Sequence, residues 1–293
     1  MSAATSTSPR TAPKPGGAER RPRPSFTKLL TVIVLGFFLI MLAGVVGSVM
    51  ISSVSTRWLN TWLPEGYTGR WFSAAWEEFG LTQVLLVTFQ VAIAVLFMTL
   101  LIAIPAAYVL ARQTFPGKRF LTILFLLPVV VPTITYGVPL ATLLYRLQLA
   151  QTLPGVILIN LVPSVPFAIL ILMPFVEQVD ESLEKAARIF GARNWQVFAR
   201  VVLPLLAPGI VATSILLLVR TIAMFDLTFL VAGPTTQTLV VKLFYAVSAA
   251  GFRSPQSIDA MAMMYMATNV LLLAVAFKFI SPSRIVGGGA HRT

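Results

Sequence analysis

The chain has 293 residues, of which 57% are hydrophobic and only 11% charged, and its mean hydropathy is +0.86. A soluble domain carries about a quarter charged residues, so a water-soluble globular fold is excluded and an all-α integral membrane protein is expected. The net charge of +12 does not point to nucleic acid, because the bases lie at the ends of apolar runs. There is no cysteine, which rules out disulfides and thiolate chemistry.

Residues 1–25 are rich in Ser, Thr, Pro, Gly and Arg and are expected to form a disordered basic tail. The apolar run from Leu29 to Ile51 is too long for a signal-peptide core of about 7–15 residues, so an uncleaved first membrane helix over 26–51 is expected. A loop over 52–80 follows, with four of the five tryptophans: Trp58, Trp62, Trp71 and Trp76. Tryptophan favours the membrane–water boundary, which fits short interfacial helices; a contact surface for an external partner is the other reading.

Five further apolar stretches, roughly 82–110, 120–144, 155–176, 205–230 and 260–280, are each long enough to cross a hydrocarbon core, which takes about 20 residues. Six transmembrane helices result. With both termini inside, the inner side holds 16 Lys and Arg and the outer side 5, which sets an N-in, C-in orientation. Prolines recur within the spans, at Pro105, Pro128, Pro132, Pro139, Pro163, Pro166 and Pro174, and each predicts a kink against protein or a cavity. The connection 226–259 is read as loop plus an interfacial or re-entrant helix near Leu239 to Ala250. Residues 281–293 form a short inner tail with the lone His291.

Between the fourth and fifth crossings the charge pattern changes. From Glu177 to Arg200 there are four acids and four bases. Leu183, Ala186, Ala187 and Phe190 fall at i, i+3, i+4 and i+7, one face of a helix. Gly191 can stop that helix in the left-handed conformation. Asn194 can cap a second helix, which Pro204 limits. Two short amphipathic helices with a bend over 180–203 are predicted, a shape suited to docking; a surface connector is the plainer reading.

Ala186, Ala187, Gly191 and Val201-Val202-Leu203-Pro204 resemble, in type and spacing, the cytoplasmic loop of the membrane-spanning subunits of binding-protein-dependent (type I) ABC importers. Lys185 departs from that pattern, since the family carries glutamate there and this chain has Glu184 one position earlier. Pro105 to Arg112 with Phe115-Pro116-Gly117 is similar to the family's second cytoplasmic turn, and Leu127-Pro128-Val129-Val130-Val131-Pro132 to the start of its next helix. The likeness spans about 81–280, read as the permease core, and looks closest to the polyamine, phosphonate, iron and sugar branches.

The resemblance implies a bacterial cytoplasmic-membrane subunit that forms half of a solute pathway. A second homologous permease, two cytoplasmic ATPase subunits and an external solute-binding protein are the partners it implies. Glu184, Lys185, Ala186, Ala187, Gly191, Leu203 and Pro204 would carry the coupling to ATP hydrolysis. The chain has no Gly-x-x-x-x-Gly-Lys-Ser/Thr, no Gly-x-Ser-x-Gly and no His-Glu-x-x-His, so no enzyme activity and no bound cofactor are expected, and ATP and magnesium would belong to the ATPase. A secondary transporter or channel without an ATPase is the alternative, but no internal repeat supports it.

Polar residues inside the spans are candidates for the pathway: Arg220, Asp226, Asn269, Asn160 and Gln90. An arginine at the centre of a membrane helix costs about 2.5–3.5 kcal/mol. Arg220 can line the path or snorkel outward. Asp226 lies about 120° around the helix from it, so a direct bond requires unwinding. The asparagines and the glutamine can instead bond between helices.

Overall fold

A computed structural model describes residues 26–58, 61, 63–249 and 253–279 of the chain. The expected basic tail 1–25, Trp62 and the tail 281–293 with Arg284, His291 and Arg292 lie outside the described residues. The chain divides into two units, one ending at Gly47 and one running from Ser48. Helix α1 (Phe26–Val54) begins in the first and ends in the second. It is apolar from Leu29 onward and long enough to cross a membrane.

In the second unit the secondary structure is helical, with one isolated antiparallel bridge between Ser55 and Tyr67 among the described residues. Helix α2 (Arg70–Glu78) and α3 (Leu81–Arg112) meet at Gly80. Helices α4 (Lys118–Val130) and α5 (Thr133–Arg146) follow, then α6 (Leu153–Gln178). The expected continuous span over 120–144 is instead two helices meeting at 97°. Pro132 is the cause: it offers no N–H to continue the helix and holds Val131 extended, at φ −75° and ψ 135°.

Helix α7 (Glu181–Ile189) and α8 (Asn194–Val197) form the predicted pair, and α8 runs through a π-helical turn at Phe198–Val202 into α9 (Leu203–Leu205). That helical run ends at Leu205, one residue past Pro204. A bend of 69° separates α9 from α10 (Ala207–Ile222). The expected span 205–230 is also interrupted, because the backbone leaves the helix at Ala223–Phe225 before α11 (Asp226–Val231). Helix α12 (Leu239–Ser248) is the short apolar helix anticipated there, and α13 (Pro255–Phe279) closes the fold. Among the described residues, four helices are long and apolar enough to cross a membrane, and six crossings result if each bent pair counts as one.

The main packing pair is α3 on α6, with α10 against both. Ala103, Ala107 and Ala168 are fully buried in that contact. In lipid, helices gain little from apolar burial alone, so small residues that let backbones approach provide the packing. Gly209 on α10 shows how close the approach is: an added Cβ would lie 2.6 Å from Cγ of Phe175. The same core takes in Val197, Val202 and Leu206, so the bent pair is built into the bundle along one edge.

A second cluster joins Ala75, Phe79 and Leu81 to Leu239, Ala246, Ile258 and Met261. Here the tryptophan-rich loop is a folded piece. The Trp71 indole donates to the Ser55 carbonyl (2.6 Å), Arg253 pairs with Glu78 (3.2 Å), and Ser257 donates to the same carboxylate (3.1 Å). Trp76 stays exposed.

Candidate functional site

Helix α7 begins where Asp180 accepts the backbone N–H of Ser182 (2.8 Å). That bond holds the Asp180 carboxyl below the usual carboxylate range. The helix ends at Phe190, and Gly191 follows at φ +84°, the left-handed region that favours glycine. The second helix opens one residue earlier than expected: Arg193 is the cap, and its N–H is bonded by the Gln196 side chain (2.8 Å). Asn194 is the first helical residue.

The face of α7 turned inward is not the apolar stripe. Glu184 is the buried residue, 3% exposed, whereas Leu183 and Ala186 are exposed and Ala187 is half-buried. Ile189 and Phe190 are 83% and 91% exposed. The reason is a polar cradle at the end of α3. Glu184 accepts from the Tyr108 hydroxyl (2.7 Å), from Nε of Arg112 (2.8 Å) and from Arg188 (3.2 Å). Arg112 also donates to the carbonyl of Val179, so one guanidinium holds both the chain just ahead of α7 and the first turn of that helix. The Tyr108 ring rests 5.2 Å from that of Phe198, which links the cradle to the π-helical turn. A buried carboxylate needs such partners, since an unpaired one is costly.

Lys185 points elsewhere, exposed and 3.3 Å from Glu181. Leu203 is half-buried and Pro204 exposed. Between the two short helices lies an open groove of about 420 Å³, lined by Ala187, Phe190, Gly191, Ala192, Gln196 and Arg200. Sequence reasoning missed Tyr108 and Arg112 as partners of Glu184. Their i, i+4 spacing at the end of an apolar helix was the available signal, but only the fold brings them to a residue more than seventy positions away.

The polar residues of the spans do not form one cluster. Asp226 accepts from the Thr133 hydroxyl (2.6 Å). The chain does unwind between Arg220 and Asp226, yet no ion pair between them is present among the described residues. Arg220 instead lays its guanidinium over the Phe167 ring, 4.5 Å from the centroid. Asn160 is buried and donates to Thr228 (3.0 Å), tying α6 to α11. Asn269 bonds only within its own helix, to the Tyr265 carbonyl, and Gln90 is exposed. No group of three or more His, Cys, Asp and Glu gathers as for a metal among the described residues.

Residues 100–284 match the family described as the binding-protein-dependent transport system inner membrane component. A putative ABC transporter permease of Streptomyces antibioticus is 35% identical, over 73% of this chain and 91% of that protein. The sulfoquinovosyl glycerol transport system permease of Agrobacterium fabrum is 30% identical, over 78% of this chain and 80% of that protein. Among solved structures, a bacterial ABC transporter involved in import of the acidic polysaccharide alginate has the same fold, with TM-score 0.71 at 16% identity. That likeness covers 92% of this chain and 100% of the other.

Proposed function

The chain belongs to the family of inner membrane components of binding-protein-dependent transport systems, and from that premise we propose that it forms half of the pathway of an ATP-driven importer for a small polar solute. It is a multi-pass membrane subunit of an ABC importer. In the proposed assembly a second, homologous permease completes the pathway. Two ATPase subunits dock on α7 and α8 from the cytoplasm of a bacterial cell, and a solute-binding protein delivers from outside. ATP and magnesium stay on the ATPase.

The observation that carries the coupling role is the two-sidedness of α7. Its charged residue Glu184 is anchored inside, while Ile189 and Phe190 are bare. A helix clamped to the bundle on one side and apolar and open on the other works as a lever. Closure of the ATPase pair would displace α7, and the Glu184–Arg112 link would pass that movement to α3. A loaded binding protein favours the outward-open state only through tighter binding to it, as any ligand must. Lys185 and Ala186 complete the exposed surface, and Gly191, Leu203 and Pro204 shape the bend and the return to α10.

The sugar derivative and the acidic polysaccharide named for the two relatives support a polar, sugar-like solute. Cysteine crosslinking from Phe190 or Ala186 in working membranes tests the coupling role. The expected product is an adduct with an ATPase subunit; proton- or sodium-driven uptake by this chain without any ATPase would favour a secondary transporter.

A further inference from the structure

Arg220 stands in the last turn of α10 and is half-buried. It is thirteen residues along α10 from Ala207, about 20 Å at 1.5 Å per residue. Its guanidinium stacks on Phe167, which is fourteen residues from one end of α6 and eleven from the other, about 21 Å and about 17 Å. The stacked pose holds the guanidinium against the middle of α6. A guanidinium within a membrane span requires counter-charge or dipoles, and such residues face a bundle interior or a solute path.

The protein supplies little of either. Nε of Arg220 is buried without a hydrogen-bond partner, and so is the hydroxyl of the adjacent Thr221. Asp226, the nearest acid along the chain, is bonded to Thr133 across the unwound turn and forms no ion pair with Arg220. The Tyr136 hydroxyl is within electrostatic reach, yet it gives its proton to the Pro128 carbonyl (3.2 Å), and no hydrogen bond joins it to Arg220 among the described residues. What remains is a cation with a free donor beside a break in a helix, where the backbone has left the α conformation.

We propose that Arg220 is an anion-binding subsite of the translocation path, taking a carboxylate, sulfonate, sulfate or phosphonate group of the solute. The stacked Phe167 covers a face of the guanidinium, which leaves the in-plane N–H donors for a planar or tetrahedral oxyanion, the geometry arginine binds with paired N–H donors. Asp226, held back by Thr133, does not compete for the cation. This rests on the importer reading above and names the class of solute for it.

The test uses the complete transporter in membrane vesicles with its binding protein, offered sulfate, methylphosphonate, galacturonate, trehalose and spermidine in turn. At least one anion is expected to be taken up with ATP. In Arg220→Gln its uptake falls by about tenfold or more, the loss expected for one charge-assisted contact. Arg220→Lys keeps an intermediate rate, and both variants still co-purify with the ATPase and the second permease. Uptake confined to trehalose or spermidine, or anion uptake by Arg220→Gln at the unaltered rate, overturns the proposal. So does an Arg220→Gln chain that no longer joins the second permease, since the charge then serves assembly. A chain that co-purifies no ATPase refutes the importer reading itself, a different outcome.

Discussion

The side chains of Arg112 and Glu184 meet at 2.8 Å across the junction of α3 and α7, with Arg112 donating from Nε. Glu184 is 3% exposed and Arg112 11%, so the pair works in a medium that screens it little. Removing one partner strands the other. Glu184→Ala should lower stability by about 3 kcal/mol, the low end for breaking a buried pair, because Glu181 remains 3.7 Å from Arg112. Tyr108→Phe, which deletes one hydrogen bond to the same carboxylate, should cost about 1 kcal/mol. Thermal unfolding of the purified complex in detergent measures both, and an unchanged midpoint for Glu184→Ala would show that the cradle is not structural.

Gly191 has open space around it, since no atom lies within 4 Å of where a Cβ would be. The penalty for a side chain there is therefore in the backbone, at φ +84°. Gly191→Val should destabilise the bend by about 1–2 kcal/mol and uncouple ATP hydrolysis from uptake. Gly191→Asn, which tolerates the left-handed region, should retain most uptake. Equal uptake by the two variants would mean that the bend is not what couples.

At Gly209 the cost is of the opposite kind. A Cβ would lie 2.6 Å from the Phe175 ring carbon while the backbone is helical. Gly209→Val should force α10 away from α6 and cost about 1–3 kcal/mol. The double change Gly209→Ala with Phe175→Leu should recover part of that loss. Yield of folded protein by size-exclusion chromatography reports the difference.

Asp180 gives a pH dependence whose sign is set. Its folded carboxyl ionises below the ordinary value because it accepts the Ser182 N–H. The charged form therefore stabilises the fold above the unfolded pKa, near 3.9. That contribution disappears as pH falls through the lower folded value. Asp180→Ala should unfold earlier than the unaltered chain at neutral pH, with the gap closing in acid. Melting curves between neutral pH and about pH 3, a unit below that reference, would show whether it closes.

Phe190 is the exposed tip of α7. Phe190→Ser should leave the melting of the isolated chain within about 0.5 kcal/mol, as for a surface change. It should nevertheless abolish co-purification of the ATPase. Retention of the ATPase would move the docking contact elsewhere on the surface.

The class of fold could be read from the chain alone, because a membrane imposes a length and a composition on each crossing that few soluble helices meet. The bent pair of short helices, α7 and α8, was equally legible. Gly191 punctuates it, and Asp180 and Pro204 bracket it, through rules that act over three or four residues.

What the chain alone could not decide was which face of each helix is turned inward. The apolar spacing of Leu183, Ala186 and Phe190 marks one face of α7 without saying where it turns, and the bundle buries Glu184, since Tyr108 and Arg112 arrive from a distant helix to satisfy it. What Arg220 faces was open for the same reason: only the fold brings the Phe167 ring of α6 against its guanidinium. Local sequence sets where helices start, stop and bend. Burial of a charge is decided by partners that the tertiary fold brings from elsewhere in the chain.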